Sequence, residues 1–341
     1  MSDLKSLEKE HRILFAVQLR PLQGDRFQPT GFPSLGAAEY KTAGGRKLLV
    51  ESAQSMANRL ETTCWDTATN EPVEALDGIS HVTVTRKGSF LTDSMLEAHR
   101  INSPYLLEGT DKTFIELLKS ELGGLAEGPI DRKKLAEVLF KYDVGSLIHG
   151  VFLAKSELAG GRLRIARAVS AFIEASKVEV AASGGVKNDH VHPGKVEGDS
   201  KNHFGNIPFA RDEYVAEEIV FYVNIDLAQI RGYGLDAKAT ELLILLALFR
   251  VRKLLDGDLR LRTACDLEPV DRNQIAATRP DGFVLPSLPE LTKSLELAIK
   301  NCKDKMLQTT VKFEDDLKKA KDKPADSGKD DEIEDDKEDD N

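Results

Sequence analysis

The residues best suited to chemistry in this chain of 341 residues are arginines and histidines set among glycines. A strand-like segment ends at Arg20. The stretch QGDRFQPTGFPSLGAAEY at 23–40 then carries Arg26 and Gln28 on a loop braced by proline and glycine. AGGRK at 43–47 reads as the approach to a helix, where backbone N–H groups attract anions and Arg46 and Lys47 would reinforce them. These groups suit a passing sugar-phosphate backbone; a plain connector accounts for them equally well. The glycines at 24, 31 and 36 fit neither GxxxxGK[ST] nor GxGxxG, and no GxSxG or HExxH occurs.

Asp189, His190, His192 and His203 cluster in sequence. A tetrahedral metal site needs a defined third and fourth ligand, and no cysteine is near. Stacking on bases or hydrogen bonding to phosphates is the better use of these imidazoles. Asp93, His99, Asp143 and His149 could form an acid–base set, but nothing in their spacing brings them together. No catalytic residue, metal or cofactor is therefore expected.

Composition bounds the setting. The chain is 41% hydrophobic and 30% charged. Its longest apolar run, LLILLALF at 242–249, falls short of the ~20 residues a membrane helix needs. The N-terminus lacks the apolar region of a signal peptide. Three cysteines without CxxC argue for reduced thiols in a cytoplasm. Of the net charge of −10, the stretch 326–341 holds −8, leaving −2 for the rest. That tail has one apolar residue, Ile333, and reads as a disordered solubilising appendage.

The elements that would position the arginines follow from periodicity. Residues 13–20 alternate, with Ile13, Phe15, Val17 and Leu19 on one face and Gln18 and Arg20 on the other. Residues 47–62 show helical spacing through Val50, Ala53, Ala57 and Leu60, leaving Gln54, Asn58 and Arg59 on other faces. A mixed helical region follows, with LIHGVFLA at 147–154 as a buried strand. Further strands are expected at 161–175, 218–227 and 258–267, with helices at 237–255 and 288–307. Between them, 183–213 is glycine-rich and lacks a core pattern, as functional loops or protruding hairpins do. The order is that of a β-α-β-β-α-β ferredoxin-like unit. Its open face would carry Arg162, Arg164, Tyr222, Asn224, Arg260 and Arg262 beside Gln18 and Arg20, either for RNA or as an ordinary solvated surface.

Four stretches in register, QGDRFQPTGFPSLGAAEY, VESAQSMANRLE, FGNIPF and LRLRTACDL, resemble a known family. It is the RAMP-type backbone subunit of CRISPR Cascade complexes, the "Cas-seven" group, in its type I-U (I-G) branch. The resemblance spans about 12 to 285. It implies an α+β fold: an RRM-like palm at 12–63, 161–182 and 214–285, helical fingers at 64–160 and a thumb hairpin at 183–213. A C-terminal helix would fill 286–325, before the tail. It implies a subunit that is not an enzyme. Copies of it line up along a crRNA in a helical filament and present bases for pairing with target DNA. Other Cascade subunits and a helicase-nuclease are the implied partners, with no membrane. Arg20, Arg26, Gln28, Arg46, Lys47, Gln54, Asn58 and Arg59 fall where such subunits grip the guide. His203, Phe204, Asn206 and Phe209 fall in the thumb, where a bulky side chain wedges between bases. The alternative is a RAMP-type endoribonuclease, although no match to its loop aspartate is found.

Overall fold

A computed structural model describes residues 4–32, 36–188, 190–191, 206–257 and 259–317. Strand β1 (Arg12–Pro21) buries Ile13, Phe15, Val17 and Leu19 and exposes Gln18 and Arg20, as period two requires. A hairpin of β2 (Glu39–Thr42) and β3 (Gly45–Glu51) follows. Residues 47–51 are therefore strand, not the first turns of a helix. Val50 fits either period, and pairing with a neighbouring strand decides it. AGGRK accordingly sits at a hairpin turn, where the Gly44 N–H donates to Thr42 Oγ1 at 3.2 Å, and not at a helix N-terminus. Helix α1 (Ala53–Thr62) starts after Ser52, whose Oγ accepts from the Ser55 N–H at 3.3 Å.

The next region holds a hairpin, β4 (His81–Arg86) and β5 (Ser89–Asp93), then helices α2 (Thr113–Leu122), α3 (Arg132–Tyr142) and the short α4 (Gly145–His149). The expected strand at 147–154 is thus split. Gly150 turns α4 into β6 (Val151–Leu153) at φ 80°, and a Cβ there would come within 2.8 Å of the Ile165 carbonyl. The expected strand at 161–175 is likewise two. β7 (Leu163–Ile165) pairs with β6, and only β8 (Val169–Ser176) joins the main sheet.

Strands β9 (Glu179–Lys187) and β10 (Ile207–Val215) form a long antiparallel hairpin. Strand β11 (Glu218–Asp226), α5 (Leu227–Gly232) and α6 (Ala237–Asp256) follow. The segment expected as one last strand is a tight hairpin of β12 (Leu259–Arg262) and β13 (Cys265–Pro269), with Ala264 at φ 60°. After β14 (Ala277–Arg279), α7 (Leu288–Cys302) ends sooner than its expected limit of 307, and the chain adds β15 (Gln308–Lys312) parallel to β4.

The main sheet runs β12-β13-β1-β11-β8-β3-β2 with antiparallel neighbours, and β14 also pairs with β1. One face packs on helices. Residues 242–249 of α6 are all buried, so this helix is apolar all round because protein covers every side. Each such leucine contributes about 1.5–3 kcal/mol of burial. The other face is half open. Among the described residues no helix is long and apolar enough to cross a membrane, and Cys64, Cys265 and Cys302 are buried and free.

Candidate nucleic-acid interface

The chain brings the opening loop, the start of α1 and the β12–β13 hairpin to one place through Glu51, which is 3% exposed. Phe27, fully buried, exchanges backbone hydrogen bonds with Tyr214 at the foot of the long hairpin, both at 2.9 Å. The Gln28 N–H donates to the Ala264 carbonyl at 2.7 Å. Arg262 donates to the carbonyls of Gln28 (3.0 Å) and Val50 (3.2 Å) and to Glu51. Arg59 donates to the carbonyls of Arg260 (3.1 Å) and Leu261, with Nε 3.8 Å from Glu51. Burial lowers the pKa of both guanidinium groups. Arg59 and Arg262 thus hold loop, strand and hairpin together from within. Both were expected as contact residues, and both spend terminal guanidinium donors on protein.

Around this knot stand cations that do reach solvent. Arg20, with 60% of its side chain exposed, pairs with Glu268 at 2.9 Å. Arg26 lies 3.7 Å from Glu213. Arg260, 79% exposed, lies 3.9 Å from Asp266. Arg46 pairs with Glu39 and, at 3.7 Å, with Glu179. Lys47 is half-buried on β3, opposite Tyr40 and Ser176. Gln54 and Asn58 bond each other at 3.2 Å on the exposed side of α1, and Arg167 donates to Gln54. Exposed ion pairs are worth about 0–1 kcal/mol. Such arginines stay oriented yet exchange a carboxylate for a phosphate at little cost.

The open sheet face carries Phe172 stacked on Tyr222, with ring centroids 5.1 Å apart. Phe172 was not among the sequence candidates. The alternation that reveals it restarts at Val169, after the break between β7 and β8. The same break removes Arg162 and Arg164 from this face. Arg162 instead donates to the carbonyls of Leu125 (2.7 Å) and Gly128 (2.9 Å), while Arg164 is exposed on β7. The face is mixed in charge, since Gln18 donates to Glu218 at 2.7 Å and Arg12 pairs with Asp226 at 2.9 Å.

His203 and Phe204, like Asp189 and His192, lie outside the described residues. Asn206 is half-buried at the start of β10. Phe209 is half exposed on β10, its ring over Gly185. Among the described residues no three metal-ligating side chains gather. Among the described residues no hydrogen bond joins any two of Asp93, His99, Asp143 and His149. Asp93 accepts from His81 at 2.7 Å, and Asp143 accepts from the Ser146 hydroxyl at 2.7 Å. Burial pushes the Asp143 pKa up to about 6.

Residues 13–180 match the family described as CRISPR-associated protein GSU0053. That match covers just under half of the chain. The matched segment contains the opening loop and α1; it ends inside β9, so the rest of the long hairpin and the β12–β13 arginines lie beyond it. No curated protein matches the chain. Among solved structures, one chain of a "CRISPR RNA-guided surveillance complex, pre-nicking" is 14% identical, with 76% of this chain and 73% of that chain covered and a TM-score of 0.38. That degree of likeness fixes no residue correspondence. The roles of individual residues in this chain rest on its own geometry.

Proposed function

We propose that this CRISPR-associated protein is the guide-RNA-binding backbone subunit of a Cascade-type complex, of the "Cas-seven" group and its type I-U branch. In this reading it is not a nuclease. Copies side by side grip the crRNA through phosphates and 2′-hydroxyls, because every guide sequence must be accepted. The bases stay free to pair with target DNA, which delegates sequence reading to pairing. Other Cascade subunits and a helicase-nuclease complete the work in the cytoplasm. The strand order β13-β1-β11-β8, with α1 and α6 between, supports a β-α-β-β-α-β palm. The β9–β10 hairpin serves as the thumb. The region 64–160, extended by β15, serves as the fingers.

One observation carries the proposal. Three of the four stretches that carry the resemblance, the opening loop, the Val50–Glu51 segment and the β12–β13 hairpin, meet around Glu51, and the cations Arg20, Arg26 and Arg260 ring that junction. A rigid seat with exchangeable exposed arginines suits a sequence-neutral backbone grip. The test is to express the full chain with a guide, treat it with nuclease, and measure absorbance and particle size. Protected RNA in regular multimers is expected. A monomer without nucleic-acid absorbance would overturn the reading, and cleavage of a labelled precursor RNA would replace it with an endoribonuclease.

A further inference from the structure

A separate pocket lies where the fingers meet the palm. It is a cleft of about 940 Å³ between the β6–β7 hairpin, the start of β8 and α5. Arg132, Arg164 and Arg167 line it, and no carboxylate does among the described lining residues. Arg100 also reaches it, but both ends of its fork are taken by Glu61 at 2.6 and 2.7 Å. Arg132 and Arg164 are exposed and have no side-chain partner among the described residues. Arg167 donates only to neutral oxygens, the Ala53 carbonyl at 3.4 Å and the Gln54 side chain. Three guanidinium groups without a counter-charge around one cleft form an incomplete electrostatic arrangement.

The lining includes a second, independent sign of a ligand. His149 is 1% exposed, and neither ring nitrogen has a hydrogen-bond partner. Burial and the charges of Arg250, Arg100 and Arg167 hold the imidazole neutral. It therefore offers one N–H donor and one acceptor, both unmet, and buried polar groups rarely go unmet. At the rim, Phe152 is 53% exposed and stands directly opposite Arg164 in the β6–β7 ladder. Antiparallel partners share a face, so an aromatic ring and a free guanidinium lie side by side. A bare anion would have no use for the ring, whereas a nucleotide uses both.

We infer that this cleft binds one nucleotide of a single-stranded RNA, with the base on Phe152, the phosphate on Arg132, Arg164 and Arg167, and His149 hydrogen-bonded to phosphate or ribose. The identity of the strand rests on the proposed function; the existence of a nucleotide site does not. It stands apart from the Arg20–Arg26 track. Arg167, bonded to α1 through Gln54, links the two.

The test uses the full chain with three probes: inorganic phosphate, adenosine monophosphate and a short labelled single-stranded RNA. The variants are Phe152→Ala and the pair Arg132→Ala with Arg164→Ala. All three side chains are exposed, and melting curves confirm folding. Phe152→Ala is expected to weaken the mononucleotide roughly tenfold and leave phosphate unchanged. The arginine pair should weaken both and reduce the salt slope of RNA binding by about 1.4. Wild-type binding of RNA with both variants indistinguishable from it would overturn the site and leave the proposed function standing. Mononucleotide binding that depends on Phe152 without any RNA binding would keep the site and sink the guide-RNA reading. Phosphate bound as tightly as the mononucleotide, whatever stands at 152, would make this an anion site only and overturn the inference.

Discussion

Two arginine-rich regions of this protein use the same side chain for opposite purposes. Under the opening loop, Arg59 and Arg262 are turned inward and spend their donors on Glu51 and on backbone carbonyls. Beside the β6–β7 hairpin, Arg132, Arg164 and Arg167 converge on a cleft that no carboxylate lines among the described residues. The first region is a structural knot whose charge is already answered. The second is a site waiting for a counter-charge. What separates them is the presence of a buried acid within reach, and an arginine's place in sequence does not reveal that.

The sharpest way to break the contrast is Glu51→Ala. It leaves two partly buried guanidinium groups without their acid, which costs about 3–5 kcal/mol. A large fall in melting temperature is expected; an unchanged melting curve would show that the knot is not structural. The next effect is a pH dependence from two buried titratable groups, Asp143 and His149. Asp143 has its carboxyl raised to about 6, so its stabilising contribution is complete below its unfolded value near 3.8 and is lost as pH rises to about 6. The stability of Asp143→Asn relative to wild type should therefore grow by about 1.4 kcal/mol per pH unit between about 4 and 6, and level off above. His149 runs the other way. Its pKa is depressed, so its contribution is present above 6.5 and lost as pH falls. In His149→Gln the loss below 6.5 should disappear, read from denaturant midpoints at several pH values.

A smaller effect on folding, with a clear one on binding, is expected from Arg20→Ala with Arg26→Ala. Both guanidinium groups are exposed, and their partners Glu213 and Glu268 keep Arg211 and Arg272, so stability should change by no more than about 1 kcal/mol. RNA affinity should fall, and its salt slope should drop by about 1.4. A collapse of the melting temperature would move these two arginines into the structural class. The least effect is expected from deleting 326–341, a charge-rich stretch outside the described residues, which should leave assembly intact by size-exclusion chromatography.

Much of the sheet could be read from alternation. Ile13, Phe15, Val17 and Leu19 face the core as their spacing requires, and Ile219, Phe221, Val223 and Ile225 do the same. Helix 237–256 was visible in its apolar run. The errors fell where two periods coexist or where a glycine or a tight turn intervenes. Val50 fits both strand and helix. Gly150 and Ala264 break segments whose composition alone looks continuous. Arg162 and Arg164 alternate faithfully with Leu163 and Ile165, yet their strand pairs with Val151–Leu153 and not with the main sheet. Strand partners are a long-range choice that alternation does not encode.

The sequence by itself determined the apolar faces, the family resemblance and the residue types available for gripping a polyanion. These depend on local pattern, on side chains recurring every two or every 3.6 positions. Only the tertiary structure decided which arginines are free. Whether a guanidinium finds Glu51, a carbonyl or solvent depends on residues some two hundred positions away in the chain. The same holds for His149, Phe152 and Arg164, ordinary in sequence until the fold closes a cleft around them.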